Sequence, residues 1–278
     1  MRNLKPDLLV VVNSYGHADI VHGAKILRIP IIELQHGFIY PYHLGYTYPD
    51  VEKNYIDIFP DYLFTFGELW NSATNFPIHE QNLIATGFPY FEEQREKYQN
   101  LDRKKRDILF ISQNTIGRRL LRIAIQVALK AKNYNIIFKL HPKQYNDWKE
   151  RFSDILCEMP LNIVIYGKDA PNIYRLFRTS RVQVGVFSTA LYEGLGFGLK
   201  TIICMLPGWR FAKQLVSSKQ ASLAKNSKDI LRLISIDDGK NNDVAKIFRP
   251  NAVNNMHFAI DEILEQRKKL RVRYDSCY

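Results

Sequence analysis

The segment at residues 182–205, VQVGVFSTALYEGLGFGLKTIICM, constrains the fold most strongly. It contains two apolar runs, and the first is followed directly by two hydroxyl residues. The runs at residues 182–187 and 201–205 are typical of buried strands, and Ser188 with Thr189 is typical of a helix N-terminus. A strand, a helix and a second strand form a βαβ unit, whose two strands are parallel. The segment therefore predicts an α/β domain with a parallel sheet.

The same alternation of strands and helices recurs along the chain. Residues 92–106, EEQREKYQNLDRKKR, interrupt it because they are almost wholly polar and charged. A chain of 278 residues accommodates two α/β domains. We therefore predict a Rossmann-like N-terminal domain at residues 1–95, a Rossmann-like C-terminal domain at residues 107–250, and a closing helix with a basic tail at residues 251–278. The predicted strands lie at residues 8–12, 31–34, 62–66 and 82–86, then at 107–111, 136–140, 161–166, 182–187 and 201–205.

The composition of the chain indicates the charge of its partners and its cellular compartment. A hydrophobic fraction of 46% and a charged fraction of 24% are those of a folded domain, and the net charge of +11 favours an anionic partner. The three cysteines are far apart and odd in number, which indicates a reducing, cytoplasmic compartment. A basic run near the end of the chain suggests contact with the anionic inner face of a membrane. This run contains Arg267, Lys268, Lys269, Arg271 and Arg273.

Polar side chains follow three predicted strands of the C-terminal domain. His141 follows one strand, Ser188 and Thr189 follow another, and the remaining set is Gln113, Asn114 and Thr115. Parallel strands end at the same edge of a sheet, where hydroxyl groups, imidazole and a helix N-terminus suit a phosphate. The sequence thus predicts a nucleotide site at this edge, with Glu193 within reach of a ribose hydroxyl. The alternative is that Ser188 only caps its helix and that Glu193 faces solvent.

The N-terminal domain offers candidates for acid–base chemistry. His36 lies on a glycine-flanked turn after a strand, where an imidazole is suited to act as a general base. Glu33 is the second candidate, although it lies within an apolar strand. Asn13, Ser14 and Tyr15 follow the first strand and are candidates for the acceptor side. A tyrosine-rich loop at residues 38–62 either offers flat surface to a sugar or packs on its own rings.

The sequence lacks the motifs of several classes of site. The chain has no CxxC or HExxH pattern and no DxD cluster, so we expect no metal. It also has no GxGxxG or GxxxxGK[ST] motif, which argues against dinucleotide oxidoreductases and P-loop NTPases. We expect no bound cofactor, and no motif supports binding of nucleic acid.

Five segments together resemble a known enzyme family. They are ELQHG at residues 33–37, GFPYFE at 87–92, ISQNT at 111–115, FKLHP at 138–142 and FSTALYEGLGFGLKTI at 187–202. Between residues 8 and 205 the chain looks like a two-domain GT-B glycosyltransferase of bacterial surface polysaccharides. The nearest resemblance is to capsule Kdo and polysialic-acid transferases and to CDP-glycerol glycerophosphotransferases. A full GT-B first domain has more strands before residues 8–12, so the N-terminal domain is expected to be shortened.

The resemblance implies a function. His141, Ser188 and Thr189 would hold the phosphate of a CMP- or CDP-linked donor, and His36 would deprotonate the hydroxyl of a glycan or lipid-linked acceptor. The reaction would transfer a sugar or glycerol phosphate without a metal. Two alternatives remain open: a UDP-GlcNAc 2-epimerase-like enzyme of the same build, and a catalytically incomplete protein that binds nucleotide or glycan.

Overall fold

The computed structural model describes Leu4 and residues 6–53, 56–236 and 243–275, with side chains as far as Lys269. The chain divides into two compact units, Met1–Glu92 with Asp243–Tyr278, and Glu93–Asn242. We name them the four-stranded unit and the six-stranded unit after their sheets. Every strand pair in both sheets is parallel. The prediction of two Rossmann-like α/β domains is therefore confirmed.

The elements follow one another in βα order. The strands are β1 (Leu9–Val12), β2 (Ile31–Leu34), β3 (Tyr62–Thr65), β4 (Leu83–Ala85), β5 (Asp107–Ile111), β6 (Asn135–Lys139), β7 (Ile163–Tyr166), β8 (Val182–Gly185), β9 (Lys200–Cys204) and β10 (Ala221–Ala224). The helices are α1 (Ala18–Ile26), α2 (Glu68–Asn71), α3 (Pro89–Tyr98), α4 (Gly117–Lys130), α5 (Trp148–Arg151), α6 (Ser153–Leu156), α7 (Ile173–Thr179), α8 (Thr189–Gly196), α9 (Lys213–Ser217), α10 (Ser227–Ser235), α11 (Val244–Ile247) and α12 (Ala252–Asp275). Short 3₁₀ helices occupy Ser14–Gly16, Glu80–Asn82, Pro142–Gln144 and Trp209–Ala212.

The C-terminal helix completes the core of the four-stranded unit. The sheet order is β1-β2-β3-β4, and Ile263 of α12 packs with Ile32 and Phe64 of the sheet. The segment before α12 belongs to the same unit: Phe248 stacks on Phe91 with ring centroids 4.0 Å apart. Residues 243–250, which the sequence analysis assigned to the C-terminal domain, therefore group with the N-terminal sheet because their apolar side chains are buried there.

The six-stranded unit has the strand order β10-β9-β8-β5-β6-β7. Its central strand β5 is buried along its whole length, and the core on one face includes Phe110, Phe138 and Val184. The sequence predicts about five strands here; the additional strand is β10, which pairs with β9 at the edge of the sheet. The sequence of β10, ASLA, contains two alanines and no β-branched residue, so strand propensity does not reveal it.

The residues of the basic run, which was predicted to contact a membrane, differ in their exposure. Lys268 and Lys269 are exposed, but Arg267 pairs with Asp7, with Nη1 3.5 Å from Oδ1, and its side chain is only 13% exposed. Arg267 is thus part of the folded unit and not a solvated tail residue. The side chains of Arg271 and Arg273 lie outside the described residues. Within the described part of the chain, no helix has both the length and the apolar character needed to cross a bilayer.

A buried glutamine joins α8 to the strands beneath it. Gln183 of β8 is fully buried and donates hydrogen bonds from Nε2 to the Leu191 carbonyl (2.6 Å) and to Thr201 Oγ1 (2.7 Å). A Cβ at Gly194 would lie 2.0 Å from Gln183 Oε1. Glycine at position 194 is therefore required for α8 to approach the sheet this closely.

We expect Gly194→Ala to lower the free energy of unfolding by about 1–3 kcal/mol, because the added methyl group must displace the Gln183 amide in a packed interior. Thermal unfolding followed by circular dichroism measures the effect. Gly23→Ala is the matched control, since Gly23 also lies in a helix and a Cβ there meets nothing within 4 Å. The control should unfold at the same temperature or higher. Equal losses in both variants would contradict the packing argument.

Candidate functional site

In the four-stranded unit, the predicted residues gather where β1 and β2 end. Glu33 is fully buried near the end of β2 and accepts a hydrogen bond from Ser14 Oγ at 2.5 Å. The Tyr46 hydroxyl donates to the other carboxylate oxygen, also at 2.5 Å. Tyr46 comes from the long loop after β2 and is itself buried. One carboxylate therefore ties the turn after β1 to the tyrosine-rich loop.

Burial is the largest influence on the pKa of the Glu33 carboxyl. It raises the pKa of Glu33, while hydrogen bonds from Ser14 and Tyr46 and the nearby His36 oppose that rise. Both oxygens of this carboxyl are occupied by protein donors and the side chain has no exposed surface. Glu33, the second candidate for the general base, is consequently placed to hold Ser14 and Tyr46 in position, with no surface to offer a substrate.

His36 is exposed on the turn after β2. Its Nε2 lies 3.4 Å from the Tyr15 hydroxyl, and the Tyr15 ring packs edge-on against Tyr46 with centroids 5.5 Å apart. His43 of the tyrosine-rich loop packs on the Tyr46 ring, with ring centroids 4.7 Å apart. Burial lowers the pKa of His43, and the charge of His36 lowers it further. Of these groups, His36 and Tyr15 are exposed, whereas His43 is half-buried.

Asn13 is held in an unusual backbone conformation beside this cluster. Its φ of 63° and ψ of 59° are left-handed, which asparagine tolerates better than most residues. Its side-chain Oδ1 is buried and has no hydrogen-bond partner in the described protein. A buried acceptor without a partner is costly, so this turn carries one unsatisfied polar atom next to the cluster.

In the six-stranded unit, the predicted phosphate ligands follow neighbouring strands. The order β8-β5-β6 places Ser188, Gln113 and His141 along one carboxyl edge. Gln113 Nε2 donates to the Phe187 carbonyl at 2.5 Å and thereby links the ends of β5 and β8. These residues therefore lie at the same edge of one parallel sheet.

A residue that the sequence analysis missed organises these strand ends. Gln144 is fully buried, and its Oε1 accepts from Ser112 Oγ (2.8 Å) and from the His141 backbone N–H (2.9 Å). Its Nε2 donates to the Gln113 carbonyl at 3.2 Å. Gln144 stands three residues after His141 and completes a capping box, so this spacing is the signal that could have revealed it.

The His141 imidazole is held as a neutral hydrogen-bond donor. Its Nδ1 accepts from the Lys143 backbone N–H at 3.2 Å, which leaves Nε2 to carry the proton. Burial and then the Lys143 charge lower the pKa of His141. In the unliganded protein His141 can therefore give a phosphate a neutral hydrogen bond, and a bound anion would favour the charged form.

Two of the predicted nucleotide ligands have protein partners instead. Besides Gln113, Asn114 is engaged: Arg151 donates from Nη1 to Asn114 Oδ1 (2.9 Å) and from Nη2 to its carbonyl (3.1 Å). Gln113 and Asn114 therefore hold the loop after β5 in place, because Arg151 of α5 donates two hydrogen bonds to Asn114. Thr115 is exposed on the same loop.

At the start of α8, Ser188 Oγ accepts from the Ala190 backbone N–H at 3.2 Å, so it caps the helix as the alternative interpretation expected. Ser188 and Thr189 both keep accessible surface at this helix end. Glu193 does not face open solvent: it receives a hydrogen bond from Tyr174, and burial raises the pKa of Glu193 to about 7. Among the described residues, no cluster of His, Cys, Asp or Glu is placed to hold a metal.

No protein-family model matches this chain. No curated protein matches it either. The chain is similar to several solved structures. A Listeria monocytogenes protein assigned as a UDP-N-acetylglucosamine 2-epimerase superposes with a TM-score of 0.67 and 14% identity, over 95% of this chain and 76% of that one. The Neisseria meningitidis UDP-GlcNAc 2-epimerase, solved with UDP-GlcNAc, superposes with a TM-score of 0.60 and 16% identity, over 95% of this chain and 77% of that one. S. aureus MnaA, solved with UDP, superposes with a TM-score of 0.59 and 13% identity, over 93% of this chain and 75% of that one. At such identities the likeness shows the fold, which is the two-domain α/β architecture of the GT-B type.

Proposed function

We propose that this protein is an enzyme that acts on a nucleotide-activated sugar and holds the nucleotide phosphates at the carboxyl edge of the six-stranded sheet. The observation that carries the proposal is that His141 and the α8 N-terminus follow strands β6 and β8 at the same carboxyl edge of one parallel sheet, where Gln113 links the ends of β5 and β8. His141 offers Nε2–H, and α8 offers backbone N–H groups and the positive end of its dipole. Such donors suit a diphosphate better than a neutral ligand.

The reaction we propose first is epimerisation of a UDP-linked sugar. Structures solved with UDP-GlcNAc or UDP share this fold, which supports a uridine nucleotide over the CMP or CDP expected from the sequence. Epimerisation needs groups that exchange protons with the sugar. His36 and Tyr15 are exposed groups of that kind.

Transfer to a glycan acceptor is the second candidate function. It is favoured by the exposed position of His36 on the turn after β2, where an imidazole can take a proton from an acceptor hydroxyl. The resemblance of ELQHG and FKLHP to capsule transferases points the same way. Epimerisation consumes no acceptor, whereas transfer requires one, so the two reactions are separable by experiment.

Nucleotide binding is the first measurement that tests the proposal. Titration calorimetry with UDP, CDP, CMP and GDP should show binding, with UDP preferred. We expect His141→Ala to weaken UDP binding about tenfold, the equivalent of one hydrogen bond to a charged group. His79→Ala, which removes a histidine of the four-stranded unit, is the control and should bind like the unmodified chain.

The nucleotide titrations and a test for epimerisation distinguish the candidate functions. Binding of none of the four nucleotides would refute the proposed function, and preference for a cytidine nucleotide would favour the transferase. Incubation with UDP-GlcNAc alone then tests epimerisation, because a new epimer should form without an acceptor. Nucleotide binding with neither epimer nor transfer product would leave a protein that binds without turnover.

A further inference from the structure

A basic pocket lies at the edge of the four-stranded sheet opposite to the edge that carries His36. A pocket of about 290 Å³ opens between the end of α1, the start of β3 and α12, and its walls include Lys25, Arg28, Asp61 and Arg267. Lys25 and Arg28 precede β2 and Asp61 precedes β3, so the pocket is at the amino-terminal edge of the sheet. His36 follows β2 at the carboxyl edge. The pocket is thus separate from the candidate acid–base cluster.

The charges in this pocket do not cancel. Asp61 has both oxygens engaged, since Lys25 Nζ donates to one at 2.6 Å and the Ile31 backbone N–H to the other at 2.9 Å. Arg267 is oriented by Asp7 and reaches the Arg28 carbonyl at 3.5 Å. The pocket lining contains the cations Lys25, Arg28 and Arg267 and the carboxylate Asp61. Among the described residues, Arg28 forms no ion pair.

The backbone at Arg28 is unusual for the residue it carries. Arg28 has φ 53° and follows the C-cap Leu27 of α1, so it occupies the left-handed position of a Schellman motif. The motif is complete: Arg28 N–H donates to the Lys25 carbonyl and Ile29 N–H to the Ala24 carbonyl, both at 2.9 Å. Glycine normally fills this position, because a side chain there is strained. An arginine here adds an exposed cation to the residues that line the pocket, at a cost in stability.

We propose that this pocket binds a phosphate group, with Arg28 as the principal ligand and Lys25 and Arg267 as its flanking cations. A guanidinium fork matches phosphate oxygens, and the pocket has room for a phosphate with a small substituent. Exposed residues follow two of the lining residues in the sequence: Ile26, which is 63% exposed, follows Lys25, and Lys268 and Lys269 follow Arg267. The phosphate source is either a phospholipid headgroup or a soluble phosphomonoester.

The test compares Arg28→Gly with Lys219→Gly in the full-length chain. Lys219 also has a left-handed φ, 61°, after a helix C-cap, and is exposed in the six-stranded unit. Each variant loses one positive charge and gains the residue that its backbone prefers, so both should melt at the same temperature as the unmodified chain or higher. Loss of stability therefore cannot account for any difference in binding between them.

Two binding measurements distinguish the phosphate sources. The first is cosedimentation with phosphatidylcholine vesicles, with and without phosphatidylglycerol; the second is calorimetry with glycerol 3-phosphate. We expect Arg28→Gly to weaken binding about tenfold in at least one of them, and Lys219→Gly to leave it within twofold. An effect with vesicles alone identifies a lipid, and an effect with glycerol 3-phosphate identifies a soluble ligand. No binding in either measurement, or equal losses in both variants, would overturn the proposal. None of these results depends on nucleotide binding in the other unit.

Discussion

Replacing His36 with alanine is expected to lower turnover by about 10²–10⁴-fold, the range that removal of a general acid or base costs. His36 is exposed at the end of β2, and its ring nitrogen faces the Tyr15 hydroxyl. The substitution removes no buried contact, so the protein should remain folded. UDP affinity should stay within about twofold, because the proposed phosphate ligands belong to the six-stranded unit. Initial rates with the substrate identified by the nucleotide titrations, together with calorimetry, measure both quantities.

His22→Ala is the control for this experiment. His22 is an exposed residue of α1 in the same unit, and its removal should leave both turnover and affinity unchanged. Undiminished turnover in His36→Ala would show that the exposed imidazole has no catalytic role. The remaining accessible group, Tyr15, would then be the residue to replace. A loss of UDP affinity equal to the loss of turnover would instead make His36 a nucleotide ligand.

The strand positions were largely predictable because parallel strands in α/β proteins are buried on both faces and read as continuous apolar runs. The runs at β2 and β5 match the structure residue for residue, and the other predicted strands differ from it by a few residues at their ends. β10 was not predictable in this way. Its stability as a strand comes from pairing with β9, a tertiary contact that its own four residues do not encode.

The edge of the sheet that carries the candidate site residues was predictable for a related reason. Polar residues that directly follow buried strands converge wherever those strands are parallel neighbours, as His141 and Gln113 do. The hydrogen-bond partner that each side chain selects was not predictable. Arg151 meets Asn114 from 37 positions away, and Tyr46 reaches Glu33 through an irregular loop. Such pairings depend on loop conformation, for which the sequence gives no periodic signal.

Glu193 carries the largest expected effect on stability. Its folded-state pKa of about 7 lies above the ordinary value of 4.5 because burial disfavours the charged form. Below pH 4.5 the group is protonated in both the folded and the unfolded state and costs nothing. Between pH 4.5 and 7 the unfolded chain releases the proton while the folded chain retains it, so stability falls as pH rises. The full penalty applies above pH 7.

Glu193→Gln should remove this penalty, because the amide is neutral at every pH and similar in shape. Its free energy of unfolding should exceed that of the unmodified chain by about 2–3 kcal/mol at pH 8 and should equal it near pH 4.5, a range that allows for the partial accessibility of the side chain. Urea denaturation across this pH range measures the difference. Glu150→Gln removes an exposed carboxylate of the same unit and controls for net charge. If the curves for Glu193→Gln and the unmodified chain ran parallel, burial would not be controlling this carboxyl. The Tyr174 hydrogen bond would then have to stabilise the charged form fully, and Glu193 would be available as an anion to bind a ribose hydroxyl at neutral pH.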